Sequence, residues 1–438
     1  MKKLLLPILL LFACSSLFAS ILTDYVYNDD GTYKYNIKET KSENGINIIV
    51  VDMVSQTWQD VQIKNTVVLL VPDDLKIKDT AVLLNTGGSY DNSSIWASLG
   101  GMLAKLVSVP ICIVFDIPNQ PMWDKKEDAL MSWTFKQALD DKDFTKKPLL
   151  LQMAKAVIKS MDTIEEVSKE KCDTKIDKFI ITGASKRGWT SWISAGTKDK
   201  RIIGIMPIVF DFLDMKEQLT HQKEYYGDLS IQIGDYTELN FDKIIYTPEA
   251  KTLLELIDPF YYDIDIPKLI INGTNDPYWT LDSSSIYYPK LKGEKYLFYK
   301  PNAGHDMGLL QFVDEPVKGF FEILPMLNVM KTFIYHLCLK DEMENIEWAW
   351  TEKDNKITCE LNIKAKPARV ISYTTDVDKR DFRGVKWEGV PIEPNEEGKY
   401  IFTREKPEKG WSGSYIEVKF VSEDNTPYSV FTTPYVSK

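Results

Sequence analysis

Three side chains far apart in the chain, Ser185, Asp276 and His305, have the types and surroundings needed to turn a serine hydroxyl into a nucleophile. Ser185 lies in the stretch Lys178 to Trp192, KFIITGASKRGWTSW. Phe179-Ile-Ile181 is the short apolar run of a buried strand, and Trp189, Thr190, Trp192 and Ile193 resume in a pattern that suits the first turns of a helix. A serine at such a strand-to-helix turn is a nucleophile elbow, lifted above the sheet with Oγ aimed at the helix N-terminus. The usual G-x-S-x-G spacing is imperfect here, because Arg187 stands where the second glycine belongs and Gly188 comes one place later. An ordinary serine-containing turn would look similar, so the assignment depends on its partners.

The partners follow in order. Lys268 to Asn272 reads as a strand that leads into Gly273-Thr-Asn-Asp276-Pro277, and Lys295 to Tyr299 as another that leads into Pro301-Asn-Ala-Gly-His305. Serine, then acid after a late strand, then histidine in the loop after the last one is the order of α/β-hydrolases. The chemistry requires these types: a neutral imidazole must accept the serine proton, and a buried carboxylate must hold the imidazole tautomer and stabilise the imidazolium. Asp211, at the end of another apolar strand, remains a rival for the acid role. The chain has only 3 histidines. His336 falls on a helix and reads as structural, while His221 suits either the surface or a lid contact.

Oxyanion donors are expected from the backbone of Gly87-Gly88, after the strand Ala81 to Leu84, and from the N–H of Lys186. Glycine at 87 and 88 would let the backbone approach a substrate closely. Of the two cations behind the serine, Lys186 is expected to serve the site and Arg187, with its planar fork, the scaffold.

The elements that must position these residues alternate between strand and helix. Ile46 to Met53 and Thr66 to Val71 alternate as strands, and Val107 to Phe115 is an apolar strand. Leu150, Met153, Ala154, Val157, Ile158, Met161 and Ile164 recur at helical spacing. Ile202 to Val209 and Pro267 to Ile271 are further strands. The expectation is an α/β-hydrolase-like, mostly parallel sheet with helices on both faces, whose ligands bind at the carboxyl ends of strands. An insertion at about 213–265, dense in Tyr and Phe, reads as a cap whose aromatics mainly pack, with a subset left for substrate. From Trp348 short alternating strands predict a small C-terminal β-sandwich. The expected domains are a signal peptide at 1–20, the hydrolase domain at 21–342 and the sandwich at 343–438.

Taken together, Pro118-Asn-Gln-Pro121, Gly183-Ala-Ser-Lys-Arg-Gly-Trp-Thr190, Asp199-Lys-Arg201, Asp258-Pro259, Pro301-Asn-Ala-Gly-His305 and Arg380-Asp-Phe-Arg383 resemble the PhoPQ-activated pathogenicity-related proteins. The autocrine proliferation repressor proteins are similar. The resemblance implies an α/β-hydrolase domain with a β-rich tail in exported proteins whose substrate is poorly defined. One departure is Asp276-Pro277, where an acidic residue is expected after the aspartate.

At the start, Met1-Lys-Lys3 and the apolar run Leu4 to Ala13, followed by small residues, read as a secretory signal cleaved after Ala19 or Ser20. A lipoprotein reading with Cys14 acylated is the alternative, disfavoured by the bulk of Phe12. The 438 residues, 44% hydrophobic and 12% aromatic, suffice for one large domain and a small one. A net charge of −11 without basic runs argues against nucleic acid. Without Cys14 the cysteines are Cys112, Cys172, Cys338 and Cys359, too scattered for a dense disulfide framework, and no metal or other cofactor is called for by the histidine and cysteine spacing. No further stretch has the length of a transmembrane helix. The expected partner is a small-molecule or peptide substrate, and the oligomeric state is not legible. The expected function is a secreted serine hydrolase cleaving an ester or amide through an acyl-enzyme on Ser185. The alternative is a non-catalytic secreted signalling or binding protein that keeps the fold.

Overall fold

The computed structural model describes residues 20–91, 95–172 and 174–438. The expected leader up to Ala19, with Cys14, lies outside the described residues. Among those residues no helix is long and apolar enough to cross a membrane. The chain divides into two compact units: one runs up to Pro207 and adds Ile233–Pro267, and the other comprises Ile208–Gln232 and Lys268–Lys438.

The first unit contains β1 (Lys34–Glu43), β2 (Ile46–Trp58), β3 (Val61–Pro72), β4 (Thr80–Asn85), α1 (Ile95–Val107), β5 (Ile111–Val114), α2 (Glu127–Asp141), α3 (Leu149–Lys171), β6 (Lys178–Ala184), α4 (Lys186–Gly196) and β7 (Ile202–Ile208). Its strand order is β1-β2-β3-β5-β4-β6-β7. Pairing is antiparallel from β1 to β5 and parallel from β5 through β4 to β6. The parallel strands are apolar along their whole length because both faces are covered: Phe179, Ile180 and Ile181 of β6 are fully buried, each worth about 2 kcal/mol of transfer from water. Helix α3 has its apolar residues at the expected spacing, and α4 packs Trp192 and Ile193 completely out of solvent.

Three boundaries differ from expectation. The apolar stretch from Val107 splits, since Val107 ends α1 and only Ile111–Val114 is strand. The β2–β3 hairpin is longer than its apolar core, turning at Gln59-Asp60, both with positive φ (47° and 63°), the geometry of a type I′ turn. The polar edge strand β1 has no apolar run to announce it.

After β7, as far as Pro267, the regular elements are all helical. Helix α5 (Met215–Tyr226) belongs to the second unit, and short helices over Gly234–Thr237, Phe241–Ile244 and Lys251–Ile257 belong to the first. As expected of packing residues, Tyr225 and Phe241 are buried, while Tyr246 and Tyr261 are exposed.

In the second unit β8 (Lys268–Gly273) and β9 (Lys295–Lys300) pair in parallel, and α6 (Pro316–Leu339) follows. The remaining strands are β10 (Ile346–Lys353), β11 (Lys356–Ile363), β12 (Arg369–Val377), β13 (Gly389–Pro391), β14 (Tyr400–Glu405), β15 (Trp411–Val421), β16 (Pro427–Phe431) and β17 (Tyr435–Ser437). They form separate antiparallel sheets, β10-β11-β14 and β13-β12-β15-β16 with β17 on β15.

Candidate active site

Ser185 stands between the end of β6 and the start of α4 with φ 58° and ψ −124°. A non-glycine residue held there is strained, by about 1–3 kcal/mol, and persists only where its surroundings over-determine it. Those surroundings are specific. A Cβ on Gly183 would come within 2.7 Å of Asn85 Nδ2 and 2.8 Å of Arg187 backbone and side-chain atoms, so glycine alone lets the helix turn so closely over the strand. Buried Asn85 donates from Nδ2 to the carbonyls of Thr182 (2.8 Å) and Arg187 (3.2 Å), tying β4 to both sides of the elbow.

Arg187 explains the missing second glycine. Its side chain is buried, its Nε donates to Ile117 O at 2.7 Å, and its two terminal nitrogens meet the Glu127 oxygens at 2.7 and 3.0 Å. This bidentate fork is the strong form of the pair. Glu127 also accepts from Gln120 Nε2 (2.5 Å) and receives Lys186 Nζ at 3.1 Å. Burial raises the Glu127 carboxyl, but the hydrogen bonds and charge of Arg187, with Lys186 and Gln120, overcome it and hold it down at about 2.

Two expectations change. The Lys186 ammonium lies 3.1 Å from both Glu127 and Asp128, so its charge is committed to those carboxylates, and what it can offer an oxyanion is its backbone N–H. For Gly87 the need for glycine has a different cause from substrate approach: a Cβ there would sit 1.5 Å from an Arg187 guanidinium nitrogen. Gly88 has nothing within 4 Å of its virtual Cβ. A cavity of about 230 Å³ opens here, lined by Gly87, Gly88, Gln120, Glu127, Ala184 and Arg187 among others. That is smaller than the roughly 300–1,000 Å³ of drug-sized sites. The helical insertion is fastened to the same place, since Tyr236 donates to Asp128 (3.0 Å) and Trp189 Nε1 to Ile257 O (2.5 Å).

In the second unit His305 Nδ1 and Asp276 Oδ2 are 2.7 Å apart. The other Asp276 oxygen accepts the Tyr278 N–H at 2.9 Å, and the His305 ring stacks on Tyr278 with centroids 4.1 Å apart. The aspartate is 95% withdrawn from solvent and the imidazole about four-fifths, from side-chain exposures of 5% and 21%. With Nδ1 against the carboxylate, Nε2 lies on the opposite edge of the ring, the orientation a general base needs. Pro277, where an acidic residue was expected, shapes the turn that brings the Tyr278 N–H back onto Asp276, and its carbonyl accepts from Ser230 Oγ at 2.7 Å.

The rival carboxylate has other company. Asp211 is fully buried with its oxygens on the hydroxyls of Tyr287 and Tyr299. Burial, with the charge of Asp276 adding to it, pushes this carboxyl up to about 7 against the pull of those hydroxyls. His221 forms a second imidazole–carboxylate pair, Nε2 to Asp282 Oδ1 at 2.7 Å, with Arg380 3.4 Å from the other Asp282 oxygen. That pair uses the opposite ring nitrogen, the one a base would direct at its substrate. His336 is bound through both nitrogens, to Asp341 O (2.8 Å) and Glu294 (3.0 Å), as suits a structural residue. Among the functional surroundings, Glu127 and Asp128 were missed in the sequence; the only signal was two acids opening a helix after Pro118-Asn-Gln-Pro121.

The large mostly parallel sheet with helices, the strained serine turn and the separate C-terminal antiparallel sheets define an α/β-hydrolase fold. Residues 22–383 match the model of the PhoPQ-activated pathogenicity-related proteins, and the chain belongs to that family. It is 30% identical over 475 aligned positions to autocrine proliferation repressor protein A of Dictyostelium discoideum, an alignment covering all of this chain and 93% of that protein. Among solved structures, acetyl xylan esterase 1 from Thermoanaerobacterium sp. JW/SL YS485 aligns with 70% of this chain and 93% of its own at 14% identity and a TM-score of 0.47. An acetyl xylan esterase from Paenibacillus sp. R4 gives the same coverages and TM-score at 15% identity.

Proposed function

We propose that this chain is an exported serine hydrolase that cleaves an ester or amide bond through an acyl-enzyme on Ser185. The observation that carries the reading is the His305–Asp276 pair: Nδ1 on a buried carboxylate whose second oxygen is already satisfied by a backbone N–H. In the mechanism Ser185 attacks the acyl carbon as its proton passes to His305 Nε2, and Asp276 stabilises the imidazolium that forms. The N–H of Lys186 and the Gly87-Gly88 backbone would hold the oxyanion. His305 then gives its proton to the leaving group, and a water, deprotonated by the same imidazole, releases the acid. The C-terminal sheets, taken as a β-sandwich, serve this domain rather than carry chemistry of their own.

The competing reading, a non-catalytic secreted protein, drew its support from Arg187 in the elbow. That support is weakened because Arg187 is bound to Glu127 and Ile117, which makes it part of the scaffold that holds the turn. A fluorophosphonate probe is expected to label the wild type and to leave folded Ser185→Ala unlabelled. Equal labelling of the two proteins, or none of the wild type, would overturn the proposal.

A further inference from the structure

The loops that carry Asp276 and His305 are bound first to each other. Asn275 N–H donates to Ala303 O (2.9 Å), Asn302 N–H to Thr274 Oγ1 (2.9 Å), and Thr274 N–H to Lys300 O (3.2 Å). A Cβ on Gly273 would lie 2.4 Å from Ala303 O, so the crossing is too close for any side chain. The two loops are therefore tied into one block. The block is held from outside by a segment more than eighty residues later.

Two amides reach from the block to that segment. Asn275 Nδ2 faces the carbonyls of Val385 (2.7 Å), Arg383 (3.1 Å) and Phe382 (3.5 Å). Asn302 makes a reciprocal pair with Trp387, accepting its N–H at 2.7 Å and donating to its carbonyl at 3.0 Å. One asparagine immediately precedes the acid, and the other is three residues before the histidine. Both amide groups are engaged by that segment, which gives them a place beside the chemistry and not in it.

The segment they grip is packed and paired in its own right. Phe382 and Trp387 are buried and stacked at 5.9 Å, and Trp387 meets Tyr415 of β15 edge-on at 5.0 Å. Gly413 of β15 makes the room, since a Cβ there would come within 2.7 Å of Phe382. Arg383 is fixed on Asp381 (2.6 and 2.8 Å) and lies over the Tyr226 ring at 4.3 Å. Arg380 lies over Tyr225 at 4.2 Å and Trp411 at 4.6 Å.

We propose that the segment Arg380–Trp387 is a positioning clamp for the acid–base pair, acting through Asn275 and Asn302. This rests on the proposed roles of Asp276 and His305. Asn275 and Asn302 are positioning residues, and the strand-rich C-terminal region is required for turnover through them. Because a misplacement of about 1 Å can slow an enzyme about 10²-fold, loosening the block acts on the chemical step and spares binding.

The test compares wild type, Asn275→Ala, Asn302→Ala and Arg404→Met, the last breaking an ion pair with Asp376 (2.7 Å) elsewhere in the same region. Fluorophosphonate labelling is resolved into the inactivation rate and the apparent affinity, and the downfield proton signal of His305 Nδ1–H is followed by NMR. Both asparagine variants are expected to lose about 10- to 100-fold in inactivation rate at unchanged affinity, and to lose or shift the downfield signal. Arg404→Met should match wild type in both, whatever its melting temperature. Asn302→Asp, which keeps the acceptor for Trp387 N–H, should fall between and serves if Asn302→Ala does not fold. Unchanged rate and signal in folded asparagine variants would overturn the clamp. Failure of wild type to label would instead overturn the role of Ser185, and the NMR signal would still decide the clamp.

Discussion

The serine turn and the acid–base loops are held in place by different physics. Around Ser185 the restraint is local and electrostatic: a strained residue, a glycine with no room for Cβ two places before it, and a buried arginine two places after it gripping Glu127. Around Asp276 and His305 it is distant and built of uncharged hydrogen bonds, with Asn275 reaching Val385 across 110 positions. A charge network resists displacement but responds to pH, whereas amide-to-carbonyl bonds do not titrate. Acid should therefore loosen the elbow directly, through Glu127, and reach the other loops only through ion pairs such as Arg383–Asp381 that fix the segment gripping them.

The largest effect that would sharpen this contrast is on the carboxylate. Asp276→Asn is expected to lower the labelling rate by about 10⁴, the loss seen when the acid of a well-studied serine triad becomes an amide. Asp211→Asn should leave that rate within a few-fold. A reversal of the two would move the acid to the earlier strand.

Next comes the pair of cations behind the serine. Arg187→Met takes away the bidentate partner of Glu127, leaving it Lys186 and Gln120, and should lower stability by about 2 kcal/mol in denaturant titration. That is less than the roughly 3–5 kcal/mol of a fully buried pair, because the Glu127 side chain is partly open to water. Lys186→Met, which takes the cation from half-buried Asp128, should cost about 1–2 kcal/mol and leave the labelling rate nearly unchanged, since its ammonium is neutralised by Glu127 and Asp128. A large rate loss in Lys186→Met would return that charge to the chemistry.

The smallest effects are in pH dependence, and the signs of two carboxyls oppose. Glu127, held at about 2 against an ordinary 4.5, contributes stability that is present above about 4.5 and lost as pH falls toward 2. Asp211, raised from 3.8 to about 7, contributes stability that is present below 3.8 and lost as pH rises through 7. Melting temperatures should accordingly show a shallower acid decline for Glu127→Gln than for wild type, and a shallower decline between pH 4 and 7 for Asp211→Asn. Parallel curves for mutant and wild type would remove the corresponding carboxyl from the account.

The parts legible in the sequence were those with a local signature. Buried parallel strands show as unbroken apolar runs, α3 as a 3.6-residue period, and the nucleophile turn as Gly183-Ala-Ser185. Strand β1 was not legible because, lying at the sheet edge, it buries no side chain and its alternation runs between exposed and half-exposed residues. The turn at Gln59-Asp60 lacks the Asn-Gly or Asp-Gly pair that usually marks positive φ. The role of Arg187 was half legible: a planar fork in place of glycine pointed to the scaffold, but nothing in the spacing pointed to Glu127, sixty positions earlier. The grip of Asn275 and Asn302 on Phe382–Trp387 was beyond reach for the same reason, since hydrogen bonds to backbone carbonyls leave no mark on the residue type that accepts them.

The approach of Arg187 to Gly87 has a consequence for how this turn can change over time. A methyl group at position 87 would overlap the guanidinium, with 1.5 Å between the atom centres, while a short side chain at 187 would leave that space open. Substitutions at the two positions are therefore ordered. Position 187 must shrink before 87 can grow, and the intermediate carries Glu127 without its fork. The two residues form a ratchet in sequence space, which favours keeping glycine and arginine together or losing both.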